Sequence, residues 1–248
     1  RVRYLSYHDQ TTGLPTRQFF LEVATHALEQ ARRERRQCAM LYVDIDHFRQ
    51  INARFGNDPG DLILRTIAQR ITDGVRAADI SGIATTPEGI EVAARAGGDE
   101  FLIMLSHLRR ETDVSLVADR ILRAIREPFR LHDDEIIITA SIGLSLFPRD
   151  GDDIETLVDH AEHAVANAQA LGRNKGAFYN KELAAAAGHQ LQQEIELRRA
   201  IDGGELVLHY QPKFDLGSGR VIGVEALVRW QHPERGLLPP ADFIPLAE

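Results

Sequence analysis

Cys38-Ala39-Met40-Leu41-Tyr42-Val43-Asp44-Ile45 is an almost continuous apolar run directly behind the charged stretch Arg32-Arg33-Glu34-Arg35-Arg36. A strand with one wet face alternates apolar and polar side chains, so a run without alternation predicts a strand covered on both faces. The run ends in two carboxylates, Asp44 and Asp46. What surrounds it reads as alternating helices and strands. Phe19, Phe20, Val23, Ala27 and Leu28 recur at helical spacing behind Gly13-Leu14-Pro15 and predict a helix over about 15–35. Asp58 as N-cap, Pro59 at the first helical position and Leu62, Ile63, Ile67 and Ile71 predict a second helix to about Val75.

Residues 79–91 carry Gly82, Thr85, Thr86, Pro87 and Gly89 without periodicity and read as a loop. Strands over 91–95 and 101–105 flank a hairpin tip, Gly97-Gly98-Asp99-Glu100. A helix over 111–126, a β-branched strand over 136–147 and a helix to Leu171, opened by a capping box of Asp152 and Glu155, complete the first part. The order strand, helix, hairpin, helix, strand, helix predicts an α+β sandwich with one mostly antiparallel sheet covered by helices. Phe19, Phe20, Leu28 and Phe129 are its expected core. A boundary follows near Tyr179, then a linker helix rich in alanine and glutamine, and a strand pair over 206–210 and 221–230 around Gly217-Ser218-Gly219. The expected domains are 1–180, a linker over 181–203, and 204–248.

Composition narrows the function classes. With 44% hydrophobic and 27% charged residues in 248, the chain is globular, and no apolar run approaches the roughly 18 residues that a bilayer span needs. A single cysteine, Cys38, excludes an intramolecular disulfide framework and fits a reducing, cytoplasmic compartment. A net charge of −8 argues against general phosphate neutralisation, hence against nucleic-acid binding, while leaving room for a small anionic ligand. The first residue is Arg1, not methionine, so the chain is expected to start inside a longer polypeptide.

The chemistry-bearing residues are the acidic strand end at Asp44 and the acidic hairpin tip at Asp99 and Glu100. Paired carboxylates without histidine or cysteine partners suit Mg²⁺, which keeps several waters and recruits substrate phosphates. Gly97 and Gly98 let a phosphate chain approach the backbone. Taken alone, such a tip is also simply a polar hairpin turn. Elsewhere, Asp159, His160 and His163 could mimic a metal site but read as a solvated helix face, and Cys38 reads as a small buried hydrophobe.

In order and spacing, Asp44-Ile45-Asp46-His47-Phe48-Arg49-Gln50-Ile51-Asn52, Gly60-Asp61, Arg95-Ala96-Gly97-Gly98-Asp99-Glu100-Phe101 and Gly172-Arg173-Asn174 resemble the GGDEF family of diguanylate cyclases. Asp9 with Thr12-Gly13-Leu14-Pro15 and Arg17 is similar to that family's entrance motif. The resemblance implies a palm-like sandwich, similar to ferredoxin-like and nucleotide-cyclase folds. It implies Asp44, the Ile45 carbonyl and Asp99 as ligands of Mg²⁺ or Mn²⁺, with Asp99 and Glu100 as the catalytic carboxylates. It further implies Asn52 and Asp61 on a guanine base, Phe48, Arg49, Gly97 and Gly98 along a triphosphate, and Arg173 as a phosphate contact. The implied reaction joins two GTP into cyclic di-GMP with release of pyrophosphate, across a homodimer.

Gln169 stands where the family usually has a lysine, and a neutral amide supplies no charge-assisted phosphate contact. Asn57 replaces a common histidine, and Arg49 a common lysine while keeping its charge. Gln169 therefore supports a second reading, a GTP-binding regulatory domain without turnover that controls an adjoining phosphodiesterase, whereas the intact Gly97–Phe101 motif supports the cyclase. Arg76-Ala77-Ala78-Asp79 has the letters of the family's product-inhibition motif but lies upstream of its usual place, where Glu88 and Glu91 stand. Either an inserted loop over 80–92 is excluded and Arg76 and Asp79 act, or product inhibition is absent; the pair also reads as solvated residues at a helix end.

Behind the linker, Tyr210-Gln211-Pro212, Glu225-Ala226-Leu227-Val228-Arg229-Trp230 and Pro240–Glu248 resemble the start of an EAL domain, the cyclic di-GMP phosphodiesterase family. By that resemblance Glu225 is a metal ligand, with Gln211, Leu227 and Arg229 near the dinucleotide. A truncated start of such a barrel cannot enclose an active site. An upstream sensor and the rest of the EAL domain are expected in the parent protein.

Overall fold

Because the run from Cys38 onward has no polar face, it takes the centre of a sheet. In the computed structural model, β1 (Gln37–Ile45) sends Ala39, Leu41, Val43 and Ile45 into one helix layer and Cys38, Met40 and Tyr42 into the other. The structure describes residues 7–80, 92–108, 110–131, 134–181, 196–201, 203–233 and 235–244, without the side chains of 76–80, 92, 107 and 242. Two units are distinguished, Arg1–Asn180 and Lys181–Glu248.

In the first unit, β1 is flanked by β3 (Glu100–Leu108) and β6 (Ala140–Phe147), with β2 (Val92–Gly97) beyond β3 and β7 (Gly176–Phe178) beyond β6. Of the strand pairs of this sheet, among the described residues, β6–β7 alone is parallel, and Thr16 adds an isolated parallel bridge to Arg95 at the β2 edge. Helices α1 (Arg17–Glu34) and α5 (Ile154–Ala170) cover the Met40 and Tyr42 face. On the Leu41 and Val43 face lie α3 (Asn57–Ile80) and α4 (Glu111–Arg126), with the short α2 (Phe48–Phe55) leading from β1 into α3. The result is the predicted palm-like α+β sandwich.

Local details differ from the sequence reading. α2 was not predicted: it has eight residues, and Gly56, at φ 90°, ends it before α3 starts at Asn57, one residue ahead of the expected cap. The strand predicted over 136–147 divides, because 134–136 turn back to pair with β4 (Phe129–Leu131) as β5 (Asp134–Ile136), and β6 begins only at Ala140. Asp153, not Asp152, caps α5: its carboxylate accepts from the Thr156 amide at 2.8 Å and the Thr156 hydroxyl at 2.7 Å. Phe20, Leu28 and Phe129 are buried, but Phe19 sits at the margin, tilted against Tyr7 with ring centroids 5.0 Å apart. α5 lies directly on β6, where the Ser145 hydroxyl donates to the Leu157 carbonyl at 2.6 Å. α3 runs to Ile80, past the expected end near Val75 and into the first two residues of the loop expected over 79–91, because the chain there keeps helical hydrogen bonding; the rest of that loop, 81–91 with Glu88 and Glu91, lies outside the described residues, as do the side chains of Arg76 and Asp79.

The second unit is an antiparallel sheet of β8 (Leu206–Phe214), β9 (Val221–His232) and β10 (Gly236–Leu238), with β9 central. Leu197, Ala200, Trp230 and Phe243 form its core, and the Trp230 indole donates to Glu205 at 2.9 Å. Away from that core, Leu208, Tyr210, Phe214, Ile222 and Val224 are exposed. Of the predicted linker, 196–201 are helical, while 182–195 and 202 are outside the described residues. Among the described residues, no helix is long and apolar enough to cross a membrane.

Candidate functional site

The antiparallel register of β1 and β3 sets Asp44 directly opposite Glu100. Gly97 pairs back to Glu100, so β2 and β3 are joined by Gly98 and Asp99, with Gly98 at φ 49°, a conformation that suits glycine. The Ile45 amide donates to the Asp99 carbonyl at 3.2 Å and draws the turn against the end of β1. Arg95 braces it from beneath: its Nε and Nη2 donate to the Gly98 carbonyl at 3.0 and 2.6 Å, and its Nη1 reaches both oxygens of Asp9 at 3.0 and 3.1 Å. Asp9 also accepts from the amide and hydroxyl of Thr12, at 2.8 and 2.7 Å. Burial alone raises the Asp9 pKa, but the hydrogen bonds from Thr12 and Arg95 and the Arg95 charge together bring it below the ordinary value.

The two carboxylates at the end of β1 have different surroundings. Asp46 is buried and satisfied, accepting from the Thr139 hydroxyl at 2.6 Å, the Ser141 hydroxyl at 2.8 Å and the Asn174 amide at 3.2 Å, with Arg173 Nε at 3.9 Å. It fixes the loop after α5, in which Arg173 and Asn174 adopt φ values of 60° and 50°. Asp44 is half-buried among like charges. Burial first, then Asp99, Glu100 and Asp46, push its pKa up to about 6, opposed by a hydrogen bond in which Gln169 Nε2 donates to Oδ1 at 2.8 Å. Tyr42, beneath this pair, is raised by burial and by its hydrogen bond to Glu100.

A cleft of 740 Å³ opens over these groups and brings together Asp44, Ile45, Phe48, Arg49, Asn52, Asp61, Gly98, Asp99 and Glu100 of the predicted site. Gly97 lies behind the turn, and Arg173 stays beside Asp46; neither lines the cleft. His47, Gln50, Leu64 and Arg95 line it as well. Sequence reasoning assigned these four no role, although Leu64 lies one helical turn beyond Asp61 and could have been placed by that spacing. Asn52 Oδ1 is buried without a hydrogen-bond partner inside the cleft wall. It fits there because Gly60 has no side chain: a Cβ at 60 would come 1.9 Å from that oxygen. An orphaned buried acceptor costs free energy until a donor satisfies it.

All the donors at the strand ends are oxygens and most are anionic, which fits a hard divalent cation. Among the described residues, no three His, Cys, Asp or Glu side chains converge as a cation cage. A cation that retains waters and substrate oxygens needs fewer protein ligands than that. The α5 histidines do not form a site: His163 pairs with Asp159 at 3.3 Å, while His160 stacks on Tyr179 with centroids 3.8 Å apart. In the second unit, Gln211 faces Glu225 across β8 and β9, and Glu225 pairs with Lys213 at 3.1 Å. Gln211 and Glu225 are exposed, Leu227 and Arg229 half-buried, and none of the four lines the 710 Å³ hollow of that unit.

Comparison with known proteins agrees with this geometry. Residues 6–175 match the family model described as diguanylate cyclase, GGDEF domain, and residues 194–248 match that of the EAL domain. The chain is 39% identical over 244 residues to the bifunctional diguanylate cyclase/cyclic di-GMP phosphodiesterase MucR of Pseudomonas aeruginosa, covering 98% of this chain and 34% of the relative. It is 38% identical over 247 residues to the cyclic di-GMP phosphodiesterase NbdA of the same organism, covering 100% of this chain and 30% of the relative. The solved GGDEF domain of P. aeruginosa TpbB, also called YfiN, superposes with a TM-score of 0.62 at 32% identity, over 70% of this chain and 94% of that one. The chain thus spans about a third of the length of these curated relatives.

Proposed function

Since the chain belongs to the GGDEF family of diguanylate cyclases and carries the beginning of an EAL domain behind it, we propose that residues 1–180 bind GTP with a divalent cation and condense two GTP into cyclic di-GMP. In this reading 181–203 are the linker and 204–248 the start of the EAL domain of a larger signalling protein in the cytoplasm, where GTP is available. The observation that carries it is the juxtaposition of Asp44, Glu100 and Asp99 at one end of a cleft whose wall holds Asn52 and Asp61.

Guanine presents N–H donors at N1 and N2 and an acceptor at O6. Asn52 offers both an acceptor and a donor, and Asp61 two acceptors, so the pair suits that edge, and rotation of the Asn52 amide into the cleft would give its orphaned Oδ1 a partner. Phe48 and Arg49, at the start of α2, and the open turn at Gly98 leave the triphosphate a path toward Asp44 and Asp99. Mg²⁺ or Mn²⁺, held by Asp44, the Ile45 carbonyl and Asp99, would offset charge on the phosphoryl oxygens and ease deprotonation of the attacking hydroxyl. The 3′-oxygen of one GTP forms a bond to the α-phosphorus of the other, the α–β phosphoanhydride bond breaks, and pyrophosphate leaves; the second linkage repeats the step. Each cleft holds one GTP, so two protomers face each other. Glu100, held by Tyr42, is the nearest further carboxylate. The second reading, nucleotide binding without turnover, rests on Gln169, whose amide is engaged with Asp44 and supplies no cationic phosphate contact.

Incubating the chain with GTP and Mg²⁺ or Mn²⁺, with product followed by chromatography and pyrophosphate by a coupled assay, separates the two. Cyclic di-GMP that disappears in Asp99→Ala supports the cyclase; cation-dependent GTP binding without product, tested also in a dimeric form, supports the regulator. The base contacts have their own check. Gly60→Ala is expected to displace the flexible Asn52 side chain, weakening GTP binding about 10–100-fold, the value of one or two hydrogen bonds, with little change in melting temperature. An unchanged affinity would remove Asn52 from the guanine site.

A further inference from the structure

Gln169 lies in the last turn of α5, 125 positions from Asp44 in sequence, yet its Nε2 donates to Asp44 Oδ1 at 2.8 Å. Asp44 faces Glu100 across the sheet, stands two residues from Asp46 and adjoins the Asp99 turn, so acidic groups surround it. Gln169 does not line the cleft itself. We infer that Gln169 is a positioning residue for the cation: its amide ties down Oδ1 of Asp44 and leaves Oδ2 for the metal. This rests on the reading of Asp44 as a cation ligand. A carboxylate has lone pairs enough for both partners, and donors that orient metal-binding carboxylates change metal affinity by about 10–100-fold when removed.

The test is titration of the whole chain with Mn²⁺ alone, following the electron paramagnetic resonance signal of free Mn²⁺, for the wild type, Gln169→Met and Asp44→Asn. The wild type is expected to bind Mn²⁺ at a site missing from Asp44→Asn. Gln169→Met should bind about 10–100-fold more weakly, at temperatures below the melting transition of each variant. Wild-type affinity in Gln169→Met, with the site still missing from Asp44→Asn, would overturn the inference and leave the Asp44 reading intact. Equal titrations of wild type and Asp44→Asn would overturn the Asp44 reading, and the role of Gln169 with it.

Discussion

Asp44→Asn is expected to abolish cyclic di-GMP formation, by at least ~10²–10³-fold, and at pH 7.5 to raise the melting temperature of the cation-free protein. Both effects have one cause. Burial and the neighbouring Asp99, Glu100 and Asp46 lift the Asp44 pKa from its ordinary 3.8 to about 6 in the folded protein. Below about pH 3.8 the group is protonated whether the chain is folded or not, and no penalty exists. As pH rises toward 6 the unfolded chain ionises freely while the folded one resists, so stability is lost across that window and stays lost above it. Asparagine does not titrate, still accepts from Gln169, and escapes the loss. The full shift corresponds to roughly 3 kcal/mol; with the carboxylate half-open to solvent, about 1–2 kcal/mol is expected, or ~3–6 °C for a domain of this size. Melting curves from pH 3.5 to 8 would check this: the two proteins should coincide at the acid end and diverge through pH 4–6. Coincidence at pH 7.5 would show that the acidic cluster carries no strain. Added Mn²⁺ should narrow the gap by stabilising only the wild type.

Gly143→Ala is the largest structural loss expected. An alanine Cβ there would lie 1.8 Å from the Ala161 carbonyl oxygen and 2.7 Å from the Val165 amide nitrogen, both backbone atoms of α5. No rotamer change relieves such a clash, so the helix must lift from β6. That loosens Ile154, Leu157, Val158, Ala161 and Val165 from the sheet and strains the bond from Ser145 to Leu157. About 3 kcal/mol or more is expected, a fall in melting temperature of about 10 °C. Gly74→Ala is the matched control: its Cβ would meet a side-chain atom of Ile121 at 3.3 Å, and a change within about 1 kcal/mol is expected. Equal melting of both variants would show that α5 rides on β6 with slack.

The pattern of success in reading the sequence follows from what periodicity can see. β1 was legible because apolarity on nearly every position has one solution, and α4 was predicted over its observed 111–126 because Val114, Val117, Ala118, Ile121 and Ile125, five of its six buried positions, recur at helical spacing. α2 and β7, of eight and three residues, are too short for a periodic signal, and they exist because neighbours hold them. In the cleft, Asp44 and Asp99 were legible from a strand end and a hairpin tip, whereas Asn52 and Asp61 came only through the family resemblance. The Gln169–Asp44 bond and the opposite surroundings of Asp44 and Asp46 were not legible, because they depend on which distant side chain arrives, and residue spacing says nothing of that.

The brace formed by Asp9, Arg95 and the Gly98 carbonyl makes the entrance segment a lever. Although 86 positions separate Asp9 from Arg95, one guanidinium grips both that segment and the turn carrying Asp99. A displacement of the chain around Asp9 reaches the acidic tip through the Arg95 side chain as well as through the strand that carries it. Mechanical input at that end would therefore tune the spacing of Asp99 and Asp44 as a screw sets the gap of a calliper.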